Sequence, residues 1–573
     1  MARARVSALA AVVWLALCAP ALAAAGDPAD LGPLAVAVEE YNLGDSAFQP
    51  DGFPIPVELI GSVHSPAGLP GGPYPVVVFL HGRHATCYAG QAASLEWPCS
   101  PLTAPIPSYQ GYDYISETIA SWGYIVVSIS ANGINAYDNA VADLGMSARA
   151  QLVQKHLDLW KAYDTTGGEP FGGKFVGKVD LGRVGTMGHS RGGEGVVTHY
   201  AYNQSLGSPY TVRAVFPLAP VDFARPVVNT VPMATMLPYC DGDVSDLEGV
   251  HYYDDARYNV PGDPAAKNTI LVMGADHNFF NTVWTPGLFP AGTADDWTFV
   301  PRGAADPHCS LAVPGNGRLT SEQQRAVGLA YIAAFFRMTL GLEDFASLFS
   351  GDMSRPASIG AAAVWVSYHA PEATRRDVNR LLSAADLVTN TLGGAVTQTG
   401  MVPYKVCGGA PPEPSECDVR LSDAQQPHTT QSANASDMPG LSQMKAGWWR
   451  ATAAIANDVP AGAADVSDFT ALVFRAGVNW GDPRTSPTRP LDVTVTLTDG
   501  TGASGSAVVG AHSGALFYPP GAVDPVPKLF LNTVRLPLSA FLVVDLGDVR
   551  QVTFRFDQGG GGALVISDIA FAR

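Results

Sequence analysis

The sequence predicts an α/β unit with a mostly parallel sheet covered by helices, followed by an all-β sandwich. Three observations carry that prediction. Between about residues 50 and 345, continuous apolar runs such as Val76-Val-Val-Phe-Leu80 alternate with helix-periodic segments, as strands buried on both faces require. From about Ser354 helical periodicity fades, and short alternating segments punctuated by Gly, Pro, Asp and Asn take over. At 573 residues the chain is too long for one typical domain, and 47% hydrophobic residues suffice for more than one core. The expected division is a leader over 1–23, an α/β domain over 24–353 and a sandwich over 354–573.

The leader is read from Met1-Ala-Arg-Ala-Arg5, an apolar run from Val6 to about Leu17, and Pro20 before Ala21-Leu22-Ala23. Basic, apolar and small-residue parts in that order are those of a secretory signal peptide, so a secreted protein is expected. Losing the leader removes Cys18 and leaves six cysteines, an even number that in an exported chain points to disulfides. Six cysteines allow about 15 connectivities. Sequence neighbours suggest Cys87–Cys99 and Cys407–Cys417, which leaves Cys240–Cys309.

Leu34–Val38 and Val57–Ser65 read as opening strands, and the Pro/Gly cluster at 70–75 turns the chain into Val76–Leu80. Gly111–Ala120 reads as a helix, and Trp122–Ser130 holds the next buried strand. Met146, Ala150, Val153, Leu157 and Trp160 share one helix face. Strands at Ala214–Leu218, Met233–Leu237 and Thr269–Met273 follow. A helix from about Ser321 to Thr339 then begins with Thr320 and Gln323 spaced for a capping box. Sandwich strands are expected at Val364–Tyr368, Phe469–Arg475, Leu491–Leu497, Asn532–Leu538, Val552–Phe556 and Leu564–Phe571, with Ala410 to Gly440 a long loop.

Composition excludes several functions. A formal charge of -18 lacks the basic stripe that nucleic acid requires. After the leader no segment is long and apolar enough to span a bilayer. The cysteines form no CxxC pair, Asp241–Asp246 lacks the spacing and closing Glu of a calcium loop, and Gly559–Gly562 lacks the Lys-Ser/Thr of a phosphate loop. Neither a metal nor another cofactor is expected.

The stretch around Gly188-His-Ser190-Arg-Gly192 carries the chemistry. An apolar strand enters it and a helix-compatible segment leaves it, the layout of a nucleophile elbow. With 60 glycines in the chain the motif alone is weak, since a Gly-rich loop would look the same. Its context strengthens it. In chain order an acid and then a histidine should follow, each just past a strand. Met233–Leu237 is followed by Asp241, Asp243 and Asp246, and Thr269–Met273 by His277. Asp243 is the expected acid, with Asp241 and Asp246 competing; His277 is the expected base, with His308 behind it. The base would take the proton of Ser190, the acid would orient the imidazole, and two backbone N–H groups would hold the oxyanion. Those donors are expected at Arg191, after the nucleophile, and at Arg83 in the loop after Val76–Leu80, with His84 next.

On these residues the chain resembles the α/β-hydrolase superfamily over about 50 to 345. Gly188-His-Ser-Arg-Gly-Gly193 is similar to the serine motif of chlorophyllase-type esterases. The Pro75–Gly82 entry and the Asp243 and His277-Asn-Phe-Phe exits are similar to platelet-activating-factor acetylhydrolases and cutinase-like polyester hydrolases. The resemblance implies a cofactor-free serine esterase for a lipid, polymeric or other ester. A serine peptidase of the prolyl-oligopeptidase kind and a non-catalytic glycan-binding surface protein are the alternatives. Strands such as Ala563–Phe571 resemble galactose-binding-like sandwiches and carbohydrate-binding modules. Trp448, Trp449 and Trp480 would then stack on sugars, or else fill the core.

Overall fold

The computed structural model describes residues 26–429 and 439–573, so the leader expected over 1–23 lies outside the described residues. A nine-stranded sheet organises the first part. Its strands begin with β1 (Val36–Asn42), β2 (Ile60–Pro66) and β3 (Tyr74–Leu80); β4 (Cys87–Ala89), β5 (Ala92–Ser94) and β6 (Ala104–Pro105) form a separate small sheet. The large sheet continues with β7 (Ile125–Ile129), β8 (Val179–His189), β9 (Val212–Leu218), β10 (Met233–Pro238), β11 (Lys267–Val272) and β12 (Val364–His369).

The strand order is β1-β2-β7-β3-β8-β9-β10-β11-β12, parallel from β7 to β11 and antiparallel at both margins. The apolar run of β3 explains its central place. Val76, Val78 and Leu80 face one core, Val77 and Phe79 the other, and all are fully buried. Helices α1 (Asp113–Ser121), α2 (Asn132–Tyr137), α3 (Met146–Thr165), α4 (Arg191–Ser205), α5 (His251–Ala256) and α6 (Ser321–Gly341) accompany the sheet. The predicted face of α3, from Met146 to Trp160, is buried throughout. On α6, Thr320 and Gln323 form the capping box the sequence predicts.

The second part is antiparallel. Its strands are β13 (Arg375–Asn379), β14 (Val396–Thr399), β15 (Met401–Cys407), β16 (Gln443–Trp448), β17 (Ala454–Asp458) and β18 (Ala471–Val478). β19 (Thr494–Asp499), β20 (Ser504–Val508), β21 (Asn532–Pro537), β22 (Val549–Arg555) and β23 (Gly562–Ala572) complete it. One sheet runs β15-β16-β23-β18-β21 with β13 also on β23, and the other runs β14-β17-β22-β19-β20. Their inner faces share a core that includes Trp448, Phe474, Phe554 and Phe571.

Two expectations change. Val364–Tyr368, expected in the sandwich, pairs antiparallel with β11 and closes the nine-stranded sheet, because its alternation suits any sheet margin. Trp448, offered for sugar stacking, is buried against Phe556 with ring centroids 4.5 Å apart, whereas Trp449 is exposed beneath the Arg484 guanidinium. The three cysteine pairs form as the sequence suggests: Cys87–Cys99, Cys240–Cys309 and Cys407–Cys417. No helix among the described residues is long and apolar enough to cross a membrane.

Candidate active site

Ser190 stands between β8 and α4 with φ 57° and ψ −125°, a backbone conformation that side chains other than glycine rarely adopt. The turn is held by Ser190 N–H donating to Leu218 O (2.9 Å) and Gly193 N–H donating to Ser190 O (2.7 Å). The crowding explains a flanking glycine: a Cβ on Gly188 would lie 1.9 Å from Gly192 O. Gly82 approaches from the β3 loop so closely that its Cβ would sit 2.6 Å from the Ser190 Cβ. Ser190 is 3% exposed.

The β3 loop aims its peptide by means of neutral side chains. His81 is held far down the pH scale, at about 3, chiefly by burial. Its Nε2 accepts from Ala131 N–H (2.8 Å), so Nδ1 carries the proton and donates to Gly82 O (2.9 Å). Asn135 donates to the same carbonyl at 3.0 Å. In a trans peptide the Arg83 N–H then points the opposite way. Arg191 is the first residue of α4, where N–H groups lack intrahelical acceptors. Neither the Arg83 nor the Arg191 N–H meets a protein acceptor among the described residues.

His277 follows β11, and its Nδ1 donates to Asp241 Oδ2 at 2.8 Å. Asp241 is fully buried, and its other oxygen accepts from Asp243 N–H (2.9 Å) and Val244 N–H (2.6 Å). The carboxylate on Nδ1 is therefore Asp241 rather than the expected Asp243. Asp243 has a side chain 66% exposed and lies 3.6 Å from Nε2, on the other edge of the ring. Asp246 turns away to accept from Glu248 N–H, and His308 packs against Tyr239. Burial alone would lower the His277 pKa, but the charge and hydrogen bond of Asp241, with Asp243 and Asp296 beyond, raise it to about 10. Ser190 Oγ and His277 share no hydrogen bond among the described residues.

Three supports escaped the sequence analysis. His189 is kept neutral by burial, so its Nε2 donates to His277 O (3.0 Å) and its Nδ1 accepts from Tyr112 Oη (3.0 Å). Asp296 ties the acid and histidine loops together: Oδ2 accepts from Gly242 N–H (2.7 Å) and His277 N–H (3.2 Å). Lys528, from the sandwich, is buried and donates to Ser245 O in the acid loop, to Ala424 O (3.3 Å) and to Pro525 O (3.1 Å). Of these only His189, inside the serine motif, had a sequence signal.

The site opens on a cavity of about 510 Å³ that Ser190, Arg83, Arg191, Phe223, Asp243 and Asp246 line together with Asp423 and Ala424 of the sandwich. As for metals, Asp276, Asp295 and Asp296 lie within 4.8 Å of one another. Arg318 already bridges Asp276 (2.7 Å) and Asp295 (3.0 Å), and Asp296 is occupied by backbone N–H groups. The other grouping, Cys240–His308–Cys309, has its sulfurs in a disulfide.

No family model matches the chain. A stretch of 144 residues is 31% identical to Lipase 1 of Moraxella sp. (strain TA144). The stretch covers 24% of this chain and 37% of that lipase. The likeness is thus to a lipase, over part of a chain whose architecture is an α/β region joined to a β region.

Proposed function

We propose that the chain is a secreted serine hydrolase of carboxylic esters, built as an α/β-hydrolase with a sandwich attached. The observation that carries the reading is the buried Asp241–His277 pair at the strand ends that also hold the Ser190 turn. The partial likeness to a lipase supports the same class. His277 Nε2 takes the proton of Ser190 Oγ as the oxygen attacks the ester carbonyl. The oxyanion is held by the Arg83 and Arg191 N–H groups, and Asp241 stabilises the imidazolium. His277 then protonates the departing alkoxide. Water, activated in the same way, attacks the acyl-enzyme and releases the acid and free Ser190.

Asp241 takes the role that the sequence gave to Asp243. Of the alternatives, glycan binding loses Trp448 to the core, and no observation favours peptide over ester. Turnover of a panel of simple esters by the parent and by Ser190→Ala tests the reading. The expected result is a loss of roughly 10⁴-fold or more in kcat with the fold intact. Near-parental turnover by the variant would sink it.

A further inference from the structure

The cavity before Ser190 is polar where a lipid site would be apolar. Six of its twelve lining residues are ionisable, whereas ligand pockets are mostly apolar with few polar groups. Burying a long acyl chain there would strip water from charges and return little.

The cationic groups of the lining are clustered. Beside Ser190, the buried carboxylate of Asp138 holds three guanidiniums. Oδ1 accepts from Arg83 (3.1 Å) and Oδ2 from Arg149 (3.0 Å), while the Arg191 guanidinium pairs with Oδ2 at 2.7 Å and donates to Asn139 Oδ1 at 3.1 Å. Three cations on one anion leave a formal excess of two positive charges. Arg149 is fully buried, and Asp138 is the carboxylate that pairs with it. Its pKa is lowered by burial and further by repulsion from Arg191 and Arg83. Arg83 and Arg191 are thus under-compensated, and they are the two that reach the cavity, with side chains 29% and 16% exposed. Such crowding of like charge costs stability and is relieved by an anion.

Asp243, Asp246, Glu248 and Asp423 also line the cavity, and Asp243 comes within 3.6 Å of His277 Nε2. Glu248 is pushed up to about 9 by burial and its acidic neighbours, so it is uncharged near neutrality. Asp243 and Asp423 are exposed, where water and salt screen them. Asp246 in turn accepts from Glu248 N–H, which leaves the Arg83 and Arg191 guanidiniums as the lining groups placed to receive an anion.

We propose that the ester cleaved here carries an anionic group, a carboxylate or a phosphate, seated on the guanidiniums of Arg83 and Arg191. The planar forks of two arginines suit either oxyanion. The inference rests on the esterase reading and adds its substrate class.

The test compares esters that differ only in that charge. On the alcohol side, para-acetoxybenzoate and para-acetoxyphenyl phosphate are set against para-acetoxybenzamide; on the acyl side, monoethyl adipate is set against ethyl adipamate. The expected result is a kcat/KM at least about tenfold higher for an anionic ester than for its neutral partner, as a charge-assisted contact would give. The better anionic alcohol decides between carboxylate and phosphate. The advantage should shrink below about threefold in Arg83→Gln/Arg191→Gln and, without any substitution, in the parent at about 1 M salt. Both members of each pair form the same oxyanion, so their ratio isolates the bound group. Neutral esters turned over as well as the anionic ones in every pair would overturn the inference and leave the esterase standing. No turnover of any ester, with Ser190 inert to fluorophosphonate, would overturn both.

Discussion

The strand ends around Ser190 and the sandwich face that meets them are fixed by different means. At the strand ends, neutral imidazoles and backbone N–H groups do the aiming, His81, His189 and the donors on Asp241 placing each group through directional hydrogen bonds, with the buried Asp138–arginine cluster beside them. Across the junction with the sandwich, full charges are buried. Asp254 accepts from Arg475 (2.8 Å) and from His428 Nδ1 (2.7 Å), and Arg257 pairs with Asp568. His428 passes the connection on, its Nε2 accepting from Leu531 N–H. Hydrogen-bonded neutral groups aim a reacting atom, while a buried charge network fixes two bodies in one register at a high cost if broken. The sandwich thus contributes to the candidate site: Lys528 donates to Ser245 O in the loop after β10, and Asp423 lines the cavity.

That contrast can be broken from either side. The largest effect is expected at the strand ends. Asp241→Asn should lower kcat by about 10³- to 10⁴-fold, since the amide no longer enforces the imidazole tautomer, and should also lower stability, since His277 loses its buried counter-charge. Steady-state kinetics with a simple ester checks this; a larger loss in Asp243→Asn than in Asp241→Asn would reverse the assignment.

Next in size is the junction. Arg475→Met leaves the buried carboxylate of Asp254 short of a partner and should cost about 3–5 kcal/mol in urea unfolding. Asp254 is held far below the usual carboxylate range: burial opposes this, and His428, Arg475 and Arg257 outweigh it. Its stabilisation is therefore present above the unfolded carboxylate pKa and is lost as pH falls through the depressed folded value. An Arg475→Met protein of parental stability would show the junction to be dispensable.

The smallest effect sharpens the comparison at the ring of His277. General-base catalysis needs that ring neutral, so kcat/KM should rise with pH towards about 10. The sign for stability is opposite. A folded pKa above the usual value of 6.5 stabilises fully below it, and that contribution fades as pH climbs through about 10. Asp243→Asn removes one of the raising charges. The pH–rate midpoint should move down, with the alkaline plateau kept within about threefold, because Asp243 does not hold Nδ1. An unmoved midpoint would remove Asp243 from the electrostatics of the ring.

The sequence made the parallel strands legible because a strand buried on both faces must be continuously apolar, as Val76–Leu80 is. Ser190 and His277 were legible as residues just past such strands. The acid was harder. Asp241 and Asp243 both follow β10, and the turn after Pro238 decides which one points inward. The local clue was the Asp-Gly-Asp turn, in which the first carboxylate accepts the N–H groups that follow it. Asp296 and Lys528 left no such clue, since Asp296 reaches Gly242 across 54 positions and His277 across 19, and Lys528 reaches Ser245 across 283. Val364–Tyr368 was legible as a strand but not as a member of one sheet, because alternation reports a half-buried surface and not its neighbour.

The central claim is that the Ser190 hydroxyl is an activated nucleophile. Labelling of the folded protein by a fluorophosphonate, read out by peptide mass spectrometry, tests it most directly. The account predicts a single modified residue, Ser190, in the parent and none in Ser190→Ala. A folded parent that stays unlabelled, or that carries the label on another serine, would contradict it.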